Sequence, residues 1–188
     1  AYKSGGVSKR YYSRKHDNIL VYSKGKEYIF NPQLEKSYNR GFKPYRFKNV
    51  EEFEDDIGWY TLINLRDVWQ IDMVGRTSKE RVGYDTQKPE KLLKRIILTS
   101  SDKDSIVADF FAGSGTTGIV AEKFNRKWIM VDKGALSSIT INKRLIENHG
   151  APFYNYKLSN NTERIGELFI KNMEIVKDKK SGGVIFEG

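Results

Sequence analysis

A glycine-rich run between an apolar stretch and a helix start has the residue types of a ligand-binding loop. The run is Ile106-Val-Ala-Asp-Phe-Phe-Ala-Gly-Ser-Gly-Thr-Thr-Gly118. Glycine adopts backbone conformations that other residues resist, and it lets a ligand approach the main chain closely. The unpaired N–H groups and the dipole at the start of the following helix attract an anionic group. The pattern predicts a site for a nucleoside-type cofactor at the carboxyl end of a parallel strand.

The glycine spacing alone does not decide which cofactor binds. Gly113, Gly115 and Gly118 match the bare dinucleotide pattern, in which the third glycine allows helix packing. A phosphate-binding loop of the Walker type needs a Gly-Lys-Ser/Thr sequence, and the run has none. An NAD-dependent enzyme is therefore an alternative at this stage, although the Phe-Phe-Ala and Thr-Thr flanks are unusual for one.

A second acid and an upstream helix belong to the same predicted site. Lys127-Trp-Ile-Met-Val-Asp132 predicts a buried strand that ends in a carboxylate. In cofactor folds an acid about twenty residues after the glycine loop accepts hydrogen bonds from ribose hydroxyls. Upstream, Thr86-Gln-Lys-Pro89 precedes a helix whose apolar residues recur at helical spacing.

These segments together resemble the DNA amino-methyltransferases. The resemblance rests on DFFAGSGTTG (109–118), on Thr86-Gln-Lys-Pro89 and on Asn142-Lys-Arg-Leu145. It covers about residues 1–158 and is closest over 67–145. The order of segments resembles the β group, in which the catalytic half comes first, and DFFAGSGTT resembles type III restriction-modification subunits. The resemblance implies an α/β fold: a partial, doubly wound, Rossmann-like sheet with an irregular basic recognition insert.

The resemblance also implies the cofactor and its contacts. The cofactor would be S-adenosylmethionine (SAM). Asp109 would accept from the methionine amine or cap the loop, and Phe110 or Phe111 would wall the adenine or the sulfonium. The segment Ser78–Arg81 and Tyr84 would face either cofactor or DNA. The full set of predicted cofactor-binding residues is Asp109, Phe110, Phe111, Ala112, Gly113, Ser114, Gly115, Thr116, Asp132, Gln87, Lys88 and Pro89.

The catalytic motif of these enzymes does not occur in the sequence. Amino-methyltransferases carry Asp/Asn/Ser-Pro-Pro-aromatic, which holds the target amine and stacks on the extruded base. The four prolines of this chain are not adjacent to one another. We therefore expect a carboxyl-terminal fragment with no catalytic residue, which partners the missing catalytic half. The expected reaction is methylation of adenine N6 in DNA. Cytosine N4, or a non-catalytic DNA-binding or assembly module, is the alternative.

The charge pattern favours a polyanionic partner. The formal net charge is +9, and basic residues alternate with aromatic ones near the amino terminus and again over 36–48. Cations neutralise phosphates, and aromatic rings stack on unpaired bases. A solvated basic loop is the alternative. The residues predicted to contact double-stranded DNA are Lys9, Arg10, Arg14, Lys15, Arg40, Lys43 and Arg46.

The amino-acid composition argues against a metal site and against a membrane protein. There is no cysteine, and His16 and His149 lack metal-ligand spacing, so we expect no metal site. No long apolar run or signal peptide is visible, which predicts a cytoplasmic protein with no membrane partner. A homodimer and a restriction subunit are possible partners.

We expect four segments in the chain. They are the end of the catalytic half (1–30), a short insert resembling a target-recognition region (31–66), a SAM-binding subdomain (67–158), and a carboxyl-terminal helix and tail (159–188).

Periodicity predicts the elements. The predicted strands are 18–23, 106–110, 128–131 and 153–158, and the predicted helices are 88–100, 116–124, 136–148 and 163–177. Residues 26–66 are predicted to be irregular, 67–79 extended, and Ser181-Gly-Gly183 a loose tail.

Overall fold

The computed structural model describes residues 2–3, 9–12, 16–148, 150–157 and 183–187. These residues form a mixed α/β structure. The strands are β1 (Tyr2–Lys3), β2 (Leu34–Tyr38), β3 (Phe53–Glu54), β4 (Trp59–Asn64), β5 (Ile71–Asp72), β6 (Ile106–Asp109), β7 (Lys127–Asp132), β8 (Phe153–Lys157) and β9 (Gly183–Glu187). The helices are α1 (Glu90–Ser100), α2 (Thr116–Lys123) and α3 (Ala135–Glu147), and a short 3-10 turn covers Arg40–Phe42.

A four-stranded parallel sheet positions the predicted cofactor loop. Its order is β6-β7-β9-β8, and each neighbouring pair is parallel. Helix α2 connects β6 to β7, so the ends of these two strands, Asp109 and Asp132, meet at the same edge of the sheet. Ligands of open parallel sheets bind at this carboxyl edge.

The hydrophobic core lies between this sheet and the helices. Helix α2 contributes Ile119 and Val120, β7 contributes Trp128 and Met130, and α3 contributes residues of its inner face; all are almost completely buried. Gly118 faces the Met130 side chain so closely that a Cβ there would collide with it. The third glycine of the run therefore allows α2 to lie directly on β7, as the glycine pattern predicted.

A separate antiparallel sheet occupies residues 34–64. Its order is β2-β4-β3, and β2 pairs along its full length with β4, from Leu34 opposite Asn64 to Tyr38 opposite Tyr60. The prediction that 26–66 is irregular was wrong. Turn-forming residues there mark the ends of strands, and the pairing that makes them strands joins residues distant in sequence.

The elements around the predicted cofactor site agree closely with the sequence analysis. Helices α1, α2 and α3 and strands β6, β7 and β8 lie within two residues of their predicted bounds. Of the extended segment predicted at 67–79, only Ile71–Asp72 is a strand. None of the helices in the described part of the chain is long and apolar enough to cross a membrane.

Two further predictions were wrong. Residues 18–23 are not a strand. No strand of the described part of the chain pairs with them, and Leu20, Val21 and Tyr22 are 74%, 82% and 86% exposed. Gly183, the last residue of the predicted loose tail, is the first residue of β9, which lies between β7 and β8. The prediction relied on the two glycines and did not take account of the apolar run that follows them. The helix predicted at 163–177 lies outside the described residues.

Candidate functional site

The glycine loop begins with the Asp109 carboxylate at the end of β6. Its Oδ1 accepts a hydrogen bond from the Phe111 N–H at 3.0 Å, and its Oδ2 accepts one from the Thr117 hydroxyl at 2.5 Å. Asp109 thus joins both ends of the loop, which is the capping role considered for it. A carboxylate oxygen can accept two hydrogen bonds, so each oxygen keeps an acceptor position for a ligand.

The Asp132 carboxylate at the end of β7 holds the middle of the loop. Its Oδ2 accepts from the Gly113 N–H and its Oδ1 from the Gly134 N–H, both at 2.8 Å. The Ser137 hydroxyl donates to the Gly113 carbonyl at 2.5 Å. Gly113 and Gly115 have φ values of 52° and 74°, a region that glycine enters without a Cβ penalty. The two acids and the glycines thus form one connected loop.

A buried arginine supports the loop from behind. Arg144 of α3 is 3% exposed, and its Nη1 donates to the Ser114 carbonyl at 2.9 Å and to the Thr116 hydroxyl at 3.0 Å. Its Nη2 forms an ion pair with Glu90 at 3.3 Å. Burial lowers the pKa of the guanidinium, and the nearby Glu90 opposes that shift. Because α1, α3 and the loop all meet at this group, Arg144 fixes their relative positions.

The Thr-Gln-Lys-Pro segment adjoins the same loop. The Thr116 hydroxyl donates to the Lys88 carbonyl at 3.1 Å. The Gln87 side chain is 5% exposed, and it accepts from the Val82 N–H and donates to the Glu80 carbonyl. Gln87 therefore organises the chain before α1, and the segment is brought to the loop as the sequence predicted.

The sequence predicts that Tyr84 faces either the cofactor or DNA. In the structure Tyr84 lies beside the glycine loop. A Cβ on Gly113 would be 3.3 Å from the Tyr84 ring. Phe110 and Phe111 of the same loop are 57% and 91% exposed. Three aromatic side chains therefore lie in or next to the loop, and the two phenylalanines are accessible to a ligand.

The predicted cofactor residues divide into two groups. The buried residues, which shape the loop and its neighbours, are Gln87, Pro89, Ala112, Ser114, Gly115 and Thr116. The partly or fully exposed residues are Lys88, Asp109, Phe110, Phe111, Gly113 and Asp132. Lys88 forms an ion pair with Asp17 at 3.8 Å, which brings the 16–21 segment next to the start of α1.

The sequence analysis missed Arg144 and Glu90. A signal was present: Arg144 falls between Ile141 and Leu145 on the apolar side of α3, where a charge needs a buried partner. The partner, Glu90, directly follows Thr-Gln-Lys-Pro.

A cavity of about 600 Å³ lies between the 16–21 segment and residues 67–71, and Leu92 of α1 also lines it. Its lining is mostly apolar and includes Ile19 and Trp69. No residue of the glycine loop lines this cavity. Asp17, which does line it, forms the ion pair with Lys88 just before α1.

The predicted DNA-contacting residues fall in two places. Arg40, Lys43 and Arg46 are exposed on the loop between β2 and β3. Lys9 and Arg10 are exposed in the short described stretch 9–12. Arg14 and Lys15 lie outside the described residues. Over the described part of the chain, no group of three or more His, Cys, Asp or Glu residues is arranged to hold a metal ion.

A loop of this kind at the carboxyl edge of a parallel sheet is typical of nucleoside-cofactor sites, and comparison with known proteins gives the class. A model of the N6_N4_Mtase family, described as DNA methylase, matches residues 2–143. The chain belongs to this family of DNA methyltransferases.

The curated relatives carry consistent names. The chain is 34% identical over 148 residues to the type II methyltransferase M.HpaI of Haemophilus parainfluenzae, covering 78% of this chain and 41% of the relative. It is 34% identical over 147 residues to the type II methyltransferase M1.MboII of Moraxella bovis (69% and 54%). It is 35% identical over 139 residues to the DNA adenine methyltransferase YhdJ of Escherichia coli K12 (70% and 45%).

These matches cover only part of the length of each relative. It spans about half the length of these relatives, 41% to 54%. Their names support a DNA methyltransferase of the restriction-modification kind. Two of the three are named type II, and the resemblance to type III subunits stays a prediction.

Proposed function

We propose that this chain is the cofactor-binding portion of a SAM-dependent DNA methyltransferase that modifies adenine N6. The observation that carries the proposal is the glycine loop between the Asp109 and Asp132 carboxylates at the edge of a parallel sheet. Family membership supplies the DNA substrate class. The E. coli relative named as an adenine methyltransferase supports adenine, and cytosine N4 is the alternative.

The hydrogen-bonding groups and aromatic rings at the loop fit the chemical groups of SAM. The cofactor has an amine, a carboxylate, a sulfonium, a ribose and an adenine ring. Asp109 and Asp132 are acceptors with free lone pairs for the amine and for the ribose hydroxyls. The start of α2 offers N–H groups to a carboxylate. Phe110, Phe111 and Tyr84 offer aromatic surface to the adenine and, through their faces, to a sulfonium cation.

In the proposed reaction SAM supplies the electrophilic methyl group. The residues of this chain bind and orient it: Asp132 fixes the ribose, Asp109 the methionine amine, and Gly113 permits close approach of the backbone. Arg144 and Glu90 act indirectly, because they hold the loop and α1 in register. No residue here takes the proton from the target amine.

The catalytic Pro-Pro motif is assigned to a further portion of the same enzyme. The matched share of the relatives leaves room for such a portion. Within the described strands β6 pairs only with β7. We propose that the catalytic portion packs against the free edge of β6, with DNA contacting the basic residues Lys9, Arg10, Arg14, Lys15, Arg40, Lys43 and Arg46.

Calorimetric titration with SAM and with S-adenosylhomocysteine tests the cofactor, with NADH as the control ligand. Saturable binding of the first two alone is the expected result. Asp132→Ala should weaken SAM binding by about 1.5–3 kcal/mol, as for a lost hydrogen bond to a charged group. Asp56→Ala, which removes an exposed acid from the antiparallel sheet, is the matched control. Binding of NADH in place of SAM would overturn the proposal, and an unchanged Asp132→Ala affinity would remove Asp132 from the site.

A further inference from the structure

The loop that joins β2 to β3, residues 39–50, has an unusual surface; we refer to it as the basic loop. Within residues 40–48 it carries Arg40, Lys43, Arg46 and Lys48 and no acidic residue. All four basic residues are exposed. Phe47, between two of them, is 61% exposed. Cationic side chains around an exposed aromatic ring suit a ligand that presents both phosphates and flat, partly apolar bases.

Aromatic packing anchors the root of the basic loop. Phe42 lies against Tyr38 of β2 with ring centroids 6.0 Å apart, and Tyr38 contacts Tyr60 of β4 at 5.5 Å. Phe42 also packs against the backbone of Gly58, where a Cβ would collide with it. The base of the loop is thus part of the antiparallel sheet, and only its distal part extends into solvent.

The Glu52 carboxylate fixes the distal part. Its Oε1 accepts from the Asn39 amide at 2.5 Å and from the Tyr45 N–H at 2.9 Å, and its Oε2 accepts from the Arg46 N–H at 2.7 Å. These hydrogen bonds, the Tyr45 N–H first, hold the pKa of Glu52 below its ordinary value. One side chain thus ties together three positions of the loop.

The backbone conformation of the basic loop is unfavourable at two of its residues. Arg46 and Asn49 have φ values of 57° and 66°, and left-handed backbone at non-glycine residues is unfavourable unless the surroundings enforce it. The Tyr45 hydroxyl accepts from the Arg40 N–H, and its ring lies 5.2 Å from that of Phe47. The loop is therefore preorganised, with Arg46 and Phe47 projecting from a defined turn. Preorganisation removes the ordering cost that a flexible loop meets on binding.

We propose that the basic loop is a preformed DNA-contacting arm, in which Arg46 and Lys48 neutralise phosphates, Phe47 contacts base edges, and Glu52 is the positioning residue. The proposal rests on the proposed function for its partner, double-stranded DNA. It goes further in assigning a role to an acidic residue inside a basic surface, where simple electrostatics predicts only repulsion of DNA.

Two matched substitutions separate positioning from charge. Glu52→Gln and Glu51→Gln each remove one negative charge next to the basic loop, but only Glu52 accepts hydrogen bonds from it. Affinity for a fluorescein-labelled duplex, measured by anisotropy on the full chain, should fall several-fold in Glu52→Gln. It should stay equal or rise in Glu51→Gln. Tighter binding by both variants would overturn the positioning role.

Substitutions of Arg46 and Phe47 in the basic loop give a second, independent readout. Arg46→Ala should reduce the slope of log affinity against log salt by about 0.9, the value for one lost phosphate contact. Phe47→Ala should weaken binding with the salt slope unchanged, because an apolar contact releases no counterion. Lys103→Ala, on the turn after α1, is the control for a distant exposed cation and should leave affinity nearly unchanged. If Phe47→Ala binds DNA like the wild type, the loop does not contact bases and the proposal fails.

The SAM titration distinguishes the two proposals. SAM binding at wild-type affinity in Glu52→Gln shows that the variant is folded. Phe47→Ala tests the arm even if Glu52→Gln does not fold. DNA binding that is insensitive to all these substitutions overturns the arm and leaves the methyltransferase assignment intact. Absence of DNA binding by the wild-type chain overturns the arm and the DNA contact, while SAM binding still supports the cofactor site.

Discussion

The glycine loop and the basic loop use the same device in opposite surroundings. In each, one carboxylate accepts two backbone N–H groups and so fixes an irregular segment: Asp132 holds Gly113 and Gly134, and Glu52 holds Tyr45 and Arg46. The glycine loop, however, lies on the main core and is supported by the almost fully buried Arg144. The basic loop extends from a small sheet, and the carboxylate that fixes it, Glu52, is partly exposed.

The two loops should therefore respond differently to substitution. A buried charge that loses its partner leaves an uncompensated ion in a low-dielectric interior, and the free-energy penalty is large. An ion pair at the surface is screened by water, and its loss is small. The cofactor loop should therefore be coupled to global stability, and the basic loop should alter local shape and binding with little effect on global unfolding.

The largest expected effect is at Arg144. Arg144→Ala removes the charged donor to the Ser114 carbonyl and to the Thr116 hydroxyl, while Glu90 keeps its ion pair with Lys123 at 2.7 Å. The loss of these two hydrogen bonds from a charged group, about 1.5–3 kcal/mol each, should lower the free energy of unfolding by about 3–5 kcal/mol. Urea denaturation followed by circular dichroism measures this. The control is Lys143→Ala, which breaks an exposed pair with Glu147 and should cost less than about 0.5 kcal/mol. Similar losses in both variants would remove the contrast between buried and surface networks.

A smaller effect is expected at Gly115. Its φ is 74°, and a Cβ would lie 2.6 Å from the Ile141 side chain. Gly115→Ala should therefore destabilise the protein by about 1–3 kcal/mol through backbone strain and overpacking, and it should weaken SAM binding as the loop shifts. Gly75→Ala is the matched control, because no atom lies within 4 Å of its Cβ position and its φ is not positive. A stable Gly115→Ala variant with normal SAM binding would show that the loop tolerates rearrangement.

The smallest effect concerns the surface network under the basic loop. The Lys36 ammonium donates to Asp55 at 2.6 Å and the Tyr38 hydroxyl donates at 2.9 Å. These hydrogen bonds hold the pKa of the Asp55 carboxyl well below its ordinary value of 3.8. A depressed folded-state pKa gives stability that is present above the ordinary value and is lost as the pH falls through the folded one.

The acid dependence of thermal unfolding measures that contribution. Between pH 7 and pH 2 the melting temperature of Asp55→Asn should fall less steeply than that of the wild type, and the gap between the two curves should narrow below the ordinary carboxyl pKa. Asp56→Asn removes the same charge from the neighbouring exposed residue and serves as the control. Parallel curves for wild type and Asp55→Asn would show that this network does not contribute to folding.

Most elements around the predicted cofactor loop could be predicted from the sequence because their signals are local. The glycines at 113, 115 and 118, the acids that end β6 and β7, and the helix after Thr-Gln-Lys-Pro depend on spacing along the chain, and the helices and strands around them lie where periodicity placed them. The roles of the individual side chains in SAM binding stay predictions. Arg144 and Glu90 were missed because they are 54 residues apart in sequence, and only folding brings them into contact.

The sequence alone predicted the helices and strands of the parallel α/β core, because glycine positions and apolar periods express local backbone preferences. A nucleoside-cofactor role for its glycine loop stays a prediction. The remaining elements of the fold depend on tertiary contacts. Pairing of Leu34–Tyr38 with Trp59–Asn64 turned a segment that looks irregular into a sheet. Placement of Gly183–Glu187 between β7 and β8 turned a tail into a sheet strand. Strands exist only through hydrogen bonds to distant partners, and that information is not contained in any short stretch of residues.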